Sequence, residues 1–223
     1  MSNASATREL DSLVVGVLGG TGEQGRGLAR RLSAGGLRVV LGSRDVRRAE
    51  TVAAGLPGDV SGADNGECAR RCDVAVIAVP WSGHAEVLSD VRAQLAGKVV
   101  IDCVSPLGFD AKGAFVLHVE EGSACEQAQA LLPDSRVVGA FHHVSAVTLT
   151  DPDVVRVDMD VLVVGDDRAA TDLVQELAGR IPGMRGIYAG RLRNAHQVEA
   201  LTANLISVNR RYRAHAGLRV TDV

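Results

Sequence analysis

Short apolar runs alternate with amphipathic stretches along most of this 223-residue chain. Residues 13–18 and 74–79 are almost wholly Val, Leu, Ile, Ala and Gly, which is typical of strands in a sheet that is covered on both faces. Residues 23–33 and 83–95 carry apolar positions at three- and four-residue spacing and are predicted as helices. The alternation predicts an α/β fold built on a doubly wound parallel sheet.

The same reading covers the rest of the chain. Further strands are predicted at 38–42, near 60, at 98–101, 137–141, 160–164 and 184–188. Further helices are predicted at 46–54, 65–71, up to about 130, from 166 to about 178 and at 194–210. Residues 107–122 are predicted as a glycine-containing loop, and residues 1–12 as a flexible polar segment.

A glycine motif follows the first strand. Gly20-x-Gly22-x-x-Gly25 has the spacing of a dinucleotide fingerprint, in which the glycines allow a tight turn, a close phosphate and close helix packing. The helix that follows offers free amides and the positive end of its dipole to phosphates. The predicted phosphate-binding residues are Gly20, Thr21, Gly22, Glu23, Gln24 and Gly25. Strand, motif and helix together predict a Rossmann-type sheet. The strands and helices predicted after about residue 142 would form a small C-terminal α/β extension.

The end of the second strand indicates which dinucleotide binds. An acidic residue there would hold a ribose 2′-hydroxyl, whereas a basic residue accommodates a 2′-phosphate. This chain has Ser43-Arg44 at that place, with Arg48 one helical turn further on. The pattern predicts NADP(H), with a solvated helix start as the alternative for the arginines.

Composition and charge limit the kinds of partner that the protein is expected to bind. The net charge of -3 argues against general nucleic-acid binding. No apolar stretch has the length of a membrane span, and residues 1–11 lack the apolar region of a signal peptide, so a cytoplasmic protein is expected. The four cysteines are expected to be reduced and buried. His142 and His143 are expected on opposite faces of a strand, so no metal site is predicted.

Two later strand ends are expected beside the nucleotide. Val79, Pro80 and Trp81 end the fourth predicted strand, and ligands of such sheets bind outside the carboxyl ends of the strands. Trp81 and His84 are predicted to line the nicotinamide pocket, with a structural Trp81 as the alternative. Residues 102–106 occupy the equivalent place after the next strand.

Several common chemistries have no motif here. Neither tyrosine begins Tyr-x-x-x-Lys, and the chain has no Gly-x-Ser-x-Gly elbow and no Gly-x-x-x-x-Gly-Lys-Ser/Thr loop. A nicotinamide site without a clear acid or base favours hydride transfer to an acceptor that needs little proton chemistry. A second organic cofactor meets that requirement.

At this point the chain resembles a known family, the NADPH-dependent coenzyme F420 reductases, also called F420:NADP oxidoreductases. The resemblance runs from about Val14 to Asn209 and includes Glu199-Ala200-Leu201-Thr202. The earlier motifs that carry it are Gly19-Gly20-Thr21-Gly22, Gly42-Ser43-Arg44, Pro80-Trp81, Ser105-Pro106-Leu107, Gly139-Ala140-Phe141-His142 and Gly165-Asp166-Asp167. It implies reversible, direct hydride transfer between the nicotinamide C4 and C5 of an 8-hydroxy-5-deazaflavin.

The resemblance also implies an architecture. Residues 13–141 would form the NADP-binding domain, and residues 142–223 a small domain that covers the deazaflavin and forms a homodimer contact. Thr21, Ser43, Arg44 and Arg48 would serve the NADP phosphates. The residues expected against the deazaflavin are Ser105, Pro106, Leu107, His142, Val144, Ser145 and Ala146. Glu199 and Thr202 are candidates for an active-site network, Thr202 at the cofactor, or for a dimer contact, with helix-face packing as the alternative.

His142 is the catalytic candidate. It would hydrogen-bond the pyrimidine edge of the deazaflavin, and capping of local backbone is the alternative. Basic residues are candidates for the anionic tail of F420, with a solvated face or a dimer contact as alternatives; they are Lys112, Arg191, Arg193, Arg210, Arg211 and Arg213. Some family members have Ile-Pro-Ala in place of Val144-Ser145-Ala146, and Arg and Ser in place of His196 and Ala200.

Two other functions stay open at this stage. One is an NADPH-dependent imine or ketone reductase, which should need a larger C-terminal domain. The other is a non-enzymatic module that senses NADP.

Overall fold

The computed structural model describes residues 10–223, and its centre is one eight-stranded sheet with the order β10-β9-β8-β5-β4-β1-β2-β3. Neighbouring strands are parallel except β8 and β9, which pair antiparallel. The strands of this sheet are β1 Val14–Leu18, β2 Arg38–Ser43, β3 Val60–Asp64, β4 Val74–Ile77, β5 Val99–Asp102, β8 Arg136–Gly139, β9 Met159–Gly165 and β10 Met184–Gly190. The predicted doubly wound α/β fold is confirmed.

Helices cover both faces of the sheet. They are α1 Glu23–Ala34, α2 Val46–Ala54, α3 Asn65–Arg71, α4 His84–Leu95, α5 Ala124–Leu131, α6 Ala146–Thr150, α7 Arg168–Gly179 and α8 Ala195–Tyr212. Single 3₁₀ turns at Trp81–Gly83 and Leu192–Asn194 precede α4 and α8. Two buried clusters result, one on each side of the sheet, with Val15 and Val161 in the first and Ile77 and Val164 in the second.

Residues 107–122, predicted as a loop, contain a two-stranded hairpin that the prediction missed. Strand β6 spans Leu107–Asp110 and pairs antiparallel with β7, Gly113–Val116. Asp110 Oδ1 accepts the backbone N–H groups of Lys112 and Gly113 at 2.7 and 3.1 Å, and Gly113 takes a φ of 127°. The side chain of Asp110 therefore closes the turn, and β7 packs against α8.

Two predicted strands end earlier than expected. Strand β4 ends at Ile77 and β8 at Gly139, so His142 and His143 lie in a turn and not on a strand.

Helix α7 begins at Arg168, two residues later than predicted. Asp167 is its N-cap and accepts the backbone N–H of Ala170 at 2.8 Å.

Both predicted domains contribute to the same sheet. Strands β9 and β10 come from the segment after residue 141 and extend the sheet beyond β8. The division at 141/142 stays a prediction. Most of the predicted flexible segment, residues 1–9, lies outside the described residues. Leu10 is 5% exposed within the core, and Asp11 Oδ1 lies 2.7 Å from Arg180 Nη2.

The strand order reverses direction between β1 and β4. The chain continues from β1 to β2 and β3 on one side, whereas β4, β5 and β8 lie on the other. A crevice is expected outside the carboxyl ends of these two strands, and it is where ligands of open α/β sheets bind.

Candidate functional site

The turn between β1 and α1 is shaped to hold an anion. Gly19 has a φ of 75°, and the Gly22 N–H donates to the Gly19 carbonyl at 3.0 Å. Gly22 is the N-cap of α1 and has no side chain to satisfy the free amides of the first turn. These amides and the helix dipole are therefore left to a ligand.

Close packing explains the last glycine of the motif. A Cβ on Gly25 would lie 2.7 Å from the Gly19 carbonyl oxygen and 2.8 Å from the Gly20 Cα. A Cβ on Gly22 would meet only the Gly19 oxygen, at 3.4 Å. Gly25 thus lets α1 approach the turn, and Gly22 leaves the space above the turn open.

A cavity of about 630 Å³ lies at the crevice. Several predicted residues meet in its wall, which includes Thr21, Gly22, Ser43, Arg44, Arg48, Val79 and Pro80. The side-chain amide of Gln24 donates to the Phe141 carbonyl at 3.2 Å, so cofactor binding by Gln24, which stays a prediction, would use its backbone amide. The structure therefore brings together the predicted phosphate loop, the predicted 2′-phosphate residues and the end of β4.

The same wall contains an acid that sequence reasoning passed over. Asp45 follows Arg44 and lines the cavity, but its Oδ1 accepts the backbone N–H of Arg48 at 3.1 Å as the N-cap of α2. Ser43 Oγ accepts the Asp45 N–H at 3.2 Å. The capping position of an Asp just before a helix was the available signal. Asp45 orients the start of α2, and with it Arg48.

A buried amide oxygen also faces this region. Asn65 lines the cavity, and its Oδ1 is among the buried side-chain atoms without a hydrogen-bond partner in residues 10–223. A Cβ on Gly42 would come within 2.8 Å of this oxygen. No local pattern indicates this buried oxygen, because its burial depends on the pairing of β2 with β3, which ends directly before Asn65.

His84, predicted to line the nicotinamide pocket, has no exposed surface and is not part of the cavity wall. Its Nε2 is 2.6 Å from Asp102 Oδ2 and its Nδ1 is 3.0 Å from Gln127 Oε1. Burial alone would lower the pKa of His84, but the charge and hydrogen bond of Asp102 raise it on balance. Trp81 is partly buried and its ring centroid lies 5.4 Å from that of His84. The buried ring of His84 therefore packs against the ring of Trp81.

His142 lies in a second buried polar cluster. Its Nε2 is 3.7 Å from Cys125 Sγ, and ligand-type atoms of Asp102, Cys125 and His142 all lie within 4.8 Å of one another. Burial lowers the pKa of His142 to about 4, so the imidazole is neutral at pH 7. These residue types can hold a metal, but both Asp102 oxygens already accept hydrogen bonds, from His84 and the Val104 amide.

Glu199 joins this cluster from α8. It is 2% exposed, and its carboxylate accepts the backbone N–H groups of Ala124 and Cys125 at 3.0 and 3.1 Å. Burial raises the pKa of Glu199 to about 7, although these two hydrogen bonds oppose the shift. Burial also raises the pKa of the Cys125 thiol. Glu199 thus caps the N-terminus of α5 and fixes α8 to it.

Thr202 joins the two segments that were predicted to contact the deazaflavin. Its Oγ1 donates to the His142 carbonyl at 3.2 Å and accepts from Ser105 Oγ at 3.2 Å. Pro106 and Val144 are buried beside these groups, whereas Ser145, Ala146 and Leu107 are partly exposed. Ser145 Oγ lies 3.5 Å from His215 Nδ1. The segments after β5 and β8 are thus held together by a residue near the middle of α8.

The predicted tail-binding cations do not form one cluster. Lys112 lies in the turn of the hairpin. Arg191 and Arg193 precede α8, and Arg191 Nη1 is 3.7 Å from Asp166 Oδ1. Arg210, Arg211 and Arg213 are at its other end. An 18-residue helix is about 27 Å long, so the two arginine groups are separated by roughly that length.

His143 leads to a pH-dependent prediction. Its Nε2 accepts the Leu162 N–H at 3.2 Å, and burial lowers its pKa to about 4. A histidine with a lowered pKa contributes stability above pH 6.5 that is lost as the pH falls through about 4. We expect this one group to remove about 3 kcal/mol from the free energy of unfolding over that window.

The measurement is urea unfolding between pH 7 and 4. His143→Gln keeps an acceptor for Leu162 and should flatten the pH dependence relative to the unsubstituted protein, whereas His196→Gln, at an exposed position of α8, should leave the slope unchanged. Equal slopes in all three proteins would rule out a buried neutral His143. Glu199 also titrates in this range, because its raised pKa makes stability fall as pH rises from 4.5 to 7. All three proteins keep Glu199, so its contribution cancels when their slopes are compared.

None of the helices within residues 10–223 combines the length and the hydropathy that a membrane-spanning helix needs.

Comparison with known proteins gives the family. Residues 14–106 match the family described as NADP oxidoreductase, coenzyme F420-dependent. The chain is 39% identical to the F420-dependent NADP reductase of Methanothermobacter marburgensis, over 94% of this chain and 98% of that protein. It is 34% identical to the F420-dependent NADP reductase of Methanocaldococcus jannaschii, over 94% of this chain and 98% of that protein.

A solved structure agrees with these relatives. A protein of Arthrobacter sp. FB24, provisionally assigned as an F420-dependent NADP reductase, superposes with a TM-score of 0.82 at 25% identity. The match covers 94% of this chain and all of that one. The predicted family is therefore confirmed, and the chain belongs to the F420-dependent NADP reductases.

Proposed function

We propose that this protein transfers a hydride reversibly and directly between NADP(H) and coenzyme F420. The observation that carries the proposal is the arginine-lined dinucleotide cavity, in a chain whose full-length relatives are named for this reaction. The proposal makes the protein an NADP-dependent oxidoreductase that brings two organic cofactors together. Nicotinamide supplies the hydride chemistry when it is bound, and the protein supplies orientation.

The residues of the cavity fit NADP. The uncapped amides at the start of α1 and the open space at Gly22 suit a pyrophosphate. Arg44 and Arg48 are exposed and reach the same cavity as Ser43, so two guanidinium groups and a hydroxyl are available for a 2′-phosphate. Val79 and Pro80 would contact the nicotinamide end, with Trp81 behind them.

The segment around His142 fits a second, polar ring system. His142 Nδ1 is buried and has no hydrogen-bond partner in the described part of the chain. Such an orphaned atom costs free energy unless a ligand satisfies it. A neutral His142 would act as a hydrogen-bonding group at the deazaflavin edge, since its lowered pKa leaves it without positive charge at pH 7.

Catalysis then rests on positioning. Two rings held with their reacting carbons about 3–3.5 Å apart react as a unimolecular pair. Thr202 links the segments after β5 and β8 through its hydrogen bonds to Ser105 and His142. Asp102 holds the ring of His84 in place, and that ring packs against Trp81. These contacts order both walls without donating a proton.

A homodimer and a cytoplasmic location belong to the proposal. Exposed apolar side chains lie on the hairpin and on the last turns of α8, which β7 contacts; they are Phe109, Phe115, Val116, Val208 and Tyr212. A second copy covering them would remove this area from water. Sedimentation equilibrium at micromolar concentration should give twice the chain mass, and a monomer would contradict the dimer.

The four cysteines bear on the cytoplasmic location. They are free thiols, which is the state expected in a reducing compartment.

The activity is tested by mixing the protein with NADPH and oxidised F420. We expect the deazaflavin absorbance to disappear and to return when NADP⁺ is added in excess. NADPH binding without loss of that absorbance would remove the proposal, and would leave a reductase of another acceptor or an NADP-binding module.

A further inference from the structure

Helix α1 has a second role besides its N-terminus. Three of its positions, Gln24, Gly27 and Arg31, follow one another at spacings of three and four residues and therefore lie on one face. All three contact the segment 141–154, which contains the predicted wall residues Val144, Ser145 and Ala146. The N-cap of α1, Gly22, lines the nucleotide cavity, and the helix itself touches the segment that contains these wall residues.

The first contact lies at the start of the segment. Phe141 has a φ of 64°, a strained conformation for a bulky residue, and its side chain is 1% exposed. Gln24 Nε2 donates to its carbonyl at 3.2 Å. This hydrogen bond stabilises the sharp change of direction after β8 that brings His142 and the following residues to the site.

The second contact allows close approach. A Cβ on Gly27 would lie 2.6 Å from the Cβ of Leu149, which is fully buried. Only glycine at this position lets α6 lie this near α1.

The third contact is a buried guanidinium. Arg31 is 8% exposed and donates four hydrogen bonds, at 2.6 to 2.9 Å, all to backbone carbonyls. The acceptors are the carbonyl oxygens of Thr148, Leu149, Asp151 and Val154. They include the last carbonyls of α6, which a cation stabilises. Burial lowers the pKa of Arg31, and the positive charge of Arg30 adds to that shift. Keeping the guanidinium charged at this buried position therefore costs free energy.

We propose that Arg31 is a positioning residue for hydride transfer, which sets the distance between the two cofactors by fixing segment 146–154 to the helix that holds the NADP pyrophosphate. The inference rests on the proposed function. Arg31 lies seven residues beyond Gln24 on α1, and its hydrogen bonds go to the backbone of residues 148–154, which directly follow the predicted wall residues, and not to the nucleotide cavity. Loss of Arg31 should therefore disturb the F420 side and leave the NADP side intact.

The test compares Arg31→Met and Arg31→Lys with Arg30→Met, a neighbouring arginine on the same helix. The readouts are the dissociation constant of NADPH, the KM for F420 and the single-turnover rate of hydride transfer. For Arg31→Met we expect transfer at least about tenfold slower and a raised KM for F420, because small misplacements of reacting groups are costly. NADPH binding should stay within about twofold, Arg31→Lys should recover part of the rate, and Arg30→Met should match the unsubstituted protein.

Two further arms keep the inference falsifiable. If Arg31→Met does not fold, Gln24→Ala, which removes a single hydrogen bond from the same helix face to the Phe141 carbonyl, must slow transfer without weakening NADPH binding. Lower stability with unchanged transfer rate and unchanged KM for F420 would overturn the inference, as would parallel losses on both cofactor sides. If the unsubstituted protein does not reduce F420, the proposed function has failed. The inference then depends on hydrogen exchange, which must accelerate at residues 146–154 in Arg31→Met while NADPH still binds.

Discussion

Replacing Arg44 and Arg48 together by alanine should raise the KM for NADPH about 100-fold and change that for NADH less than about threefold. Both guanidinium groups reach the cavity at the end of β2, where a 2′-phosphate is expected. A hydrogen bond to a charged group contributes about 1.5–3 kcal/mol, and 1.4 kcal/mol corresponds to a factor of ten. NADH lacks this phosphate, so its binding should not need either arginine.

Arg47 provides the matched control. It is exposed on the same first turn of α2 but does not line the cavity. Arg47→Ala should keep the preference for NADPH, and steady-state rates with each nucleotide measure it. A double variant that still prefers NADPH by its original ratio would show that the phosphate is held elsewhere.

Asp102→Leu should lower the free energy of unfolding by about 3–5 kcal/mol, the cost of removing one member of a buried ion pair. Asp102 and His84 are both fully buried and 2.6 Å apart. Loss of the carboxylate leaves the imidazole without the partner that raises its pKa, and leaves the Val104 amide without its acceptor. Urea unfolding at pH 7 measures the effect.

The double variant Asp102→Leu with His84→Phe tests the cause. Because it also removes the stranded imidazole, and keeps a ring beside Trp81, we expect it to be more stable than Asp102→Leu alone. Additive losses from the two substitutions would mean that the pair is not coupled and that His84 does not depend on Asp102.

Local signals in the sequence were sufficient for much of the fold. Helices α2 and α3 begin where they were predicted, since Asp45 and Asp64 cap them with side-chain oxygens. The hairpin was missed because glycines interrupt it and Asp110 closes its turn. Helix α6 has only five residues and depends on Arg31, more than 100 residues earlier in the chain. No local pattern could have predicted it.

The same limit applies to the site. The residues that line the nucleotide cavity belong to short motifs, and Thr21, Ser43 and Arg44 were found from them. His84 and Glu199 were also singled out, but the pairing of His84 with Asp102 and of Glu199 with the start of α5 was not, because these groups meet only when distant segments of the chain pack together. Gln24 was assigned to the cofactor because it lies within the glycine motif, and that assignment stays a prediction. The hydrogen bond from its side chain to the Phe141 carbonyl joins residues 117 positions apart, so no local pattern indicates it.

The central claim is that hydride passes directly between two bound cofactors. The most direct measurement uses NADPH that carries deuterium at one C4 position, in ordinary water, followed by mass analysis of reduced F420. With one of the two C4 stereoisomers we expect one deuterium per reduced deazaflavin, bound to C5, and with the other none. Reduced F420 without deuterium from either stereoisomer would mean that the hydrogen comes from solvent, and would contradict the account.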